Sequence, residues 1–221
     1  MNVVIYLCIL IISMFSFYFA NKLLGKLGLT ITFIVMNIVS FILSFKYVTL
    51  STINLNSNCI TYVTMLISLY MILEQTSKKE AKEITNLNFI ITTFLAVMLY
   101  LMADYTEAIT ETVSINMRIV FLKNKQILIV YPITTLLSNY LLIWVYEKIK
   151  KLYDNYFITT VTIYLLIGII EGIAYTLLVY GKLKNIKINI LLILSTYMIR
   201  LIITIIYSIF LTIISKKKVT S

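Results

Sequence analysis

Two ionisable residues lie deep inside apolar runs: Glu171 in LLIGIIEGIAYTL and Arg200 in LSTYMIRLIITII. A charge in hydrocarbon calls for a counter-charge or a wet cavity. Glu171 stands nine residues before Tyr180, and Arg200 stands twelve after Ile188. If the two runs are antiparallel neighbours, both charges lie about 14–18 Å from the same membrane face at a helical rise of about 1.5 Å per residue. That spacing predicts an ion pair. Such a pair either locks two helices together or lines a substrate cavity; the remaining reading is an Arg200 that snorkels without contact. Gly168 and Gly172 thin the helix face beside Glu171, which suits close packing or a flat ligand.

Other polar residues offer recognition rather than reaction. Asn139, in YPITTLLSNYLLIWVY, carries both a donor and an acceptor and fits either a purine-like edge or a bridge between helices. Trp144 in the same run suits ring stacking or, close to EKIKK, an interfacial belt. Glu74 precedes a lysine-rich stretch and is a candidate gate or ion pair. The chain has no histidine and only Cys8 and Cys59, so histidine relays are excluded and a disulfide framework or metal cluster is not expected. It carries no P-loop, Rossmann fingerprint or nucleophile–base set. The expectation is a non-enzyme with neither cofactor nor metal.

The elements that must position these residues are membrane spans. Hydrophobic residues make up 61% of the 221 positions and charged residues 13%, with a mean hydropathy of +0.98. A water-soluble domain could not hide that much apolar surface. Seven apolar segments can be marked, at 3–24, 29–50, 60–73, 87–103, 127–146, 157–180 and 188–214. The third is short and hydroxyl-bearing, so it is a tilted span, a broken helix or a re-entrant element, and six or seven spans are both admissible. The chain reads as one integral membrane domain over 1–221, with a retained first helix rather than a cleaved signal.

Basic residues fall mostly between the apolar runs. With seven spans, eleven lie on one side (Lys22, Lys26, Lys78, Lys79, Lys82, Lys148, Lys150, Lys151 and Lys216–Lys218) and seven on the other. That bias favours a cytoplasmic C-terminus in a cytoplasmic (inner) membrane. The net charge of +10 is thus read as loop anchoring to lipid phosphate, not as nucleic-acid binding. The stretch ADYTEAITETVSINMR, with Asp104, Glu107 and Glu111, reads as an external loop or short interfacial helix. Ser77 is placed to cap a helix with Glu80 at its third position.

The order of features resembles the YhhQ-like family of queuosine precursor, or vitamin uptake, transporters. The resemblance rests on Glu74 with SKKEAKEI, on LLSNYLLIWVYEKIKK, on IGIIEGIAYTL and on IRLIITIIYSIFLTIISKK, and it spans nearly the whole chain as spacing and hydropathy more than identity. Lys46 and Arg200 fall where that family often has lysine. Tyr70 and Leu142 stand in place of membrane aspartates, Asn139 and Gly168 in place of glutamines, Thr159 and Thr160 in place of an Arg-Asn pair, and Tyr207 in place of a late aspartate.

The resemblance implies an all-α, polytopic transmembrane helical bundle that takes up a 7-deazapurine such as 7-cyano-7-deazaguanine or queuine. Glu171, Arg200 and Asn139 would contact the planar heterocycle, Tyr70 and Trp144 would stack on it, and Glu74 and Lys46 would serve as gate or ion pair. A solitary carrier, a homo-oligomer and a binding subunit served by an energy-coupling module all fit this pattern. A non-transport sensor, immunity or assembly partner is the alternative.

Overall fold

The computed structural model describes residues 2–50, 53–104, 112–153, 155–180 and 186–219. In chain order they form α1 (Asn2–Leu43), β1 (Tyr47–Leu50), β2 (Ile53–Asn56), α2 (Cys59–Gln75), α3 (Lys78–Asp104), α4 (Thr112–Lys123), α5 (Lys125–Leu152), α6 (Tyr156–Tyr180) and α7 (Ile186–Val219). The result is an all-α bundle with one small hairpin. Four helices are long and apolar enough to cross a bilayer: α1, α3, α5 and the stretch Ile190–Ile214 of α7. α2 and the stretch Tyr156–Glu171 of α6 are shorter apolar helices.

α1 is bent back on itself at Gly25, whose φ of 55° and ψ of −127° are non-helical and strained for any residue with a Cβ. Three residues on, a Cβ at Gly28 would sit 1.9 Å from the Ala20 carbonyl oxygen. The run NKLLGKLG therefore turns the chain tightly, and its two arms, 2–24 and 26–43, lie against each other. At the far end of this helical pair Asn2 Nδ2 donates to the Thr49 carbonyl at 3.0 Å.

The second apolar segment, read from sequence as running to 50, stops being helical at Leu43. Tyr47–Leu50 instead pairs antiparallel with Ile53–Asn56, with Val48 opposite Leu55 and Thr49 opposite Asn54. The reason is local. YVTL and INLN mix β-branched, aromatic and apolar residues that suit a pleated ribbon, and Thr49 Oγ1 donates to Asn54 Oδ1 at 2.6 Å. The hairpin is held to α7 by Ser195 Oγ, which donates to the Asn54 carbonyl at 2.6 Å, and by the Asn56 N–H, which donates to Thr196 Oγ1 at 3.3 Å.

α2 is one unbroken helix, and every residue from Cys59 to Tyr70 is buried. It is the centre of the core, packed with Phe17, Leu29, Phe33, Leu142, Ile167 and Tyr207 among others. Large apolar side chains point outward elsewhere, as with Leu23, Phe94, Ile129 and Leu191, the pattern of a protein whose solvent is lipid. Inside, hydroxyls and amides bridge helices. Thr64 and Tyr207 meet at 2.7 Å, Thr160 and Ser208 at 2.5 Å, and Asn37 Nδ2 donates to both Asn88 Oδ1 (3.0 Å) and Thr92 Oγ1 (2.6 Å). Each such bond contributes about 0.6 kcal/mol in a membrane bundle.

One end of the bundle gathers the ion pairs Lys26–Glu80, Lys78–Glu147 and Glu74–Lys150. The Glu80 N–H donates to Ser77 Oγ at 3.2 Å, the cap read from sequence. The opposite end carries the β hairpin. α4 covers Thr112–Lys123, the close of the acidic stretch, while Glu107, Glu111, Lys182 and Lys184 lie outside the described residues.

Candidate functional site

The deep charges of α6 and α7 do meet. Arg200 Nη1 donates to Glu171 Oε2 at 2.7 Å, and both residues are 6% exposed. The residue at the N-cap of a third helix, α2, completes the group: Arg200 Nη2 donates to Asn58 Oδ1 at 3.0 Å. The guanidinium carbon lies 4.1 Å from the centre of the Tyr62 ring, one turn further along α2. That placement adds a desolvated cation–π contact of about 2 kcal/mol. The two charges thus cancel in place, which lowers the penalty of holding them in an apolar bundle.

The surroundings are polar beyond what the pair itself uses. The hydroxyls of Tyr6, Tyr62 and Tyr175 face Cys59, Ser138 and Ser44, and the Tyr164 hydroxyl is buried with no hydrogen-bond partner among the described residues. All four tyrosines interact electrostatically with Arg200 or Glu171.

The pair borders a cleft under the β hairpin, lined by Asn56, Gly168, Glu171, Thr196, Tyr197 and Arg200 among others. Its volume is about 40 Å³, room for a water or two. Pockets for small ligands run to roughly 300–1,000 Å³. Tyr197 accounts for part of that difference. Its ring stacks on Tyr164 at 6.1 Å and 17°, and a Cβ at Gly168 would sit 2.9 Å from Tyr197 Cε2. The flat group against Gly168 is therefore one of the protein's own rings. The surroundings of Gly172 lie outside the described residues. Tyr47, 40% exposed, stands at the hairpin edge of the cleft.

The remaining sequence candidates lie elsewhere. Asn139 is 1% exposed and borders Asn37, Asn88 and Thr92 on the α3 side of α5, with its Oδ1 unpaired. Trp144 is 55% exposed on the outer surface, with Lys148 Nζ 3.8 Å from its ring centre, as an interfacial belt residue would be. Tyr70 and Glu74 belong to the ion-pair end. The Tyr70 ring meets Tyr146 and Tyr156 edge-on at 5.6 and 6.3 Å. Glu74 accepts from Tyr146 OH at 2.7 Å and pairs with Lys150. Lys46 is exposed at the hairpin end, where its carbonyl accepts from Ser57, and it makes no ion pair among the described residues.

Sequence reading missed Asn58 and Tyr62 as members of the pair's shell. The available signal was their place in NSNCITYVT, a polar entrance to a short buried helix. Among the described residues no three carboxylate, cysteine or histidine side chains gather as a metal ion would need.

No protein-family model, curated protein or solved structure matches the chain. The architecture is that of a multi-pass membrane protein, and it is consistent with membrane transport in general.

Proposed function

We propose that this chain is a seven-span membrane carrier whose solute passes through the Glu171–Arg200 station. The seven spans are the two arms of α1 together with α2, α3, α5, α6 and α7. The observation that carries the reading is the buried pair, bordered by a cleft and surrounded by buried tyrosines. A solute with both donors and acceptors would exchange with the pair: Glu171 accepts from its N–H groups while Arg200 donates to its carbonyl or ring nitrogen. Movement of Tyr197 away from Gly168 would widen the cleft, and the Glu74–Lys150–Tyr146 cluster would close the opposite end. Alternation between these two closures is the expected cycle, with no covalent step.

The resemblance to queuosine precursor transporters makes 7-cyano-7-deazaguanine and queuine the first solutes to try. Their planar lactam edge offers the donor–acceptor pattern that Glu171 and Arg200 complement. Asn139, Tyr70 and Trp144 are not part of this station. The test is accumulation of labelled precursor by cells that lack their own transporter, with and without this chain. Accumulation that depends on the chain supports the reading; equal accumulation in both, with the protein shown to be inserted, overturns it for these solutes.

The small cleft volume favours a second reading: a membrane subunit that transports nothing alone, either a partner protein or the binding component of an energy-coupling module. Copurification with such a module, or restoration of uptake by supplying it, separates that reading from a solitary carrier.

A further inference from the structure

Among the described residues, a recess far roomier than the cleft lies away from the ion pair. It is a groove of about 580 Å³ on the outer face, between the first arm of α1 and the late part of α7. Ile11, Met14, Phe15, Phe210 and Ile213 form its walls, and Ile11, Phe15 and Ile213 are more than half exposed. Its floor is braced by Tyr18 packed edge-on against Phe210 at 6.1 Å. Polarity enters only at one end, where Asn21 and Lys22 complete the lining and Lys22 Nζ lies 5.9 Å from the Tyr18 ring. From Ile11 to Lys22 the first arm rises about 16 Å at 1.5 Å per residue.

We infer that this groove is a binding site for one anionic phospholipid, with an acyl chain along the apolar walls and the phosphate at Lys22. The volume fits a chain of that length, and the charge sits where a headgroup must lie if the tail follows the groove. Lys26, Lys78 and Lys150 at this end are already paired with glutamates, but α7 continues as helix from the groove wall at Ile214 through Lys216–Lys218. Juxtamembrane lysines of this kind favour anionic over zwitterionic headgroups. Groove and charge together distinguish the site from the general lipid shell, which needs neither.

The experiment uses the full chain purified in detergent and offered equal amounts of phosphatidylglycerol and phosphatidylcholine with identical acyl chains. Retained lipid is counted by native mass spectrometry. One phosphatidylglycerol is expected to stay bound in preference to phosphatidylcholine. Lys22→Gln should weaken that preference about fivefold, the factor for one lysine near an anionic surface. Ile213→Trp, which fills the groove from an exposed position, should reduce binding of both lipids. Ile133→Trp, exposed on α5, should change neither. Equal retention of the two lipids, or a preference that survives both Lys22→Gln and Ile213→Trp, overturns the inference. So does a dimer whose formation Ile213→Trp abolishes, because the face would then belong to a second copy.

Discussion

Arg200 reaches across from α7 to place its Nη1 2.7 Å from Glu171 Oε2 on α6, and both are almost wholly buried. Asn58 and the Tyr62 ring hold the guanidinium from α2, so three helices converge on one neutral unit. Removing either charge alone strands the other. Glu171→Gln or Arg200→Ala is expected to destabilise the bundle by about 3–5 kcal/mol, whereas Glu171→Leu with Arg200→Met recovers most of that loss. Thermal unfolding in detergent across the double-mutant cycle measures it.

The turn within α1 depends on two glycines for different reasons. Gly25→Ala puts a Cβ at positive φ and should cost about 1–2 kcal/mol. Gly28→Ala forces the arms apart, because its Cβ would meet the Ala20 carbonyl at 1.9 Å, and it should be the worse of the two. Unfolding midpoints of the two variants, compared side by side, give the order.

Gly168 and Tyr197 are similarly matched. Gly168→Ala brings a Cβ to 2.9 Å from the Tyr197 ring and should cost about 1–3 kcal/mol by overpacking. Tyr197→Leu in the same chain should relieve most of it. The double variant should also make a cysteine introduced at Thr196 react faster with a polar thiol reagent, as the cleft widens.

At the other end, Glu74–Lys150 joins an exposed partner to a nearly buried one. Lys150 is 36% exposed at its side chain and Glu74 9%, with Tyr146 as the bond Glu74 keeps when the lysine is gone. Lys150→Met is expected to cost about 1–3 kcal/mol, below the cost of breaking the Glu171–Arg200 pair. An effect on uptake without an effect on unfolding would mark the pair as part of the cycle rather than of the fold.

Asn139 and Trp144 separate the sequence-based site from the structural one. Trp144→Phe should leave uptake unchanged, since the ring faces outward. Asn139→Ala should act through stability alone, because its neighbours are Asn37, Asn88 and Thr92 and not the ion pair. Uptake normalised to inserted protein tests both.

Hydropathy made the membrane class and the apolar segments legible, because the bilayer imposes length and apolarity on every span. The Glu171–Arg200 pair was legible for a related reason. Only two charges lay far from a segment end, and helical rise placed them at equal depth. What hydropathy does not encode is which side of a helix faces which neighbour. Asn139 was therefore grouped with Arg200 although α5 turns it toward α3. Asn58 reads as part of a polar entrance and is not joined to Arg200 in the sequence, because a residue at the mouth of a short segment looks interfacial until the segment proves to be central. The hairpin was lost inside the second segment, since Tyr47, Val48 and Leu50 extend an apolar run as readily as they form a strand. The alternation continuing through Ile53–Asn56 was the signal for it.

The most direct measurement is uptake of labelled 7-cyano-7-deazaguanine by transporter-deficient cells carrying the wild-type chain or the Glu171→Leu, Arg200→Met double variant. Both proteins must first be shown to be inserted and equally resistant to unfolding. Accumulation is expected with the wild type and its loss in the double variant. Equal accumulation with both would contradict it and leave the pair as a lock between helices.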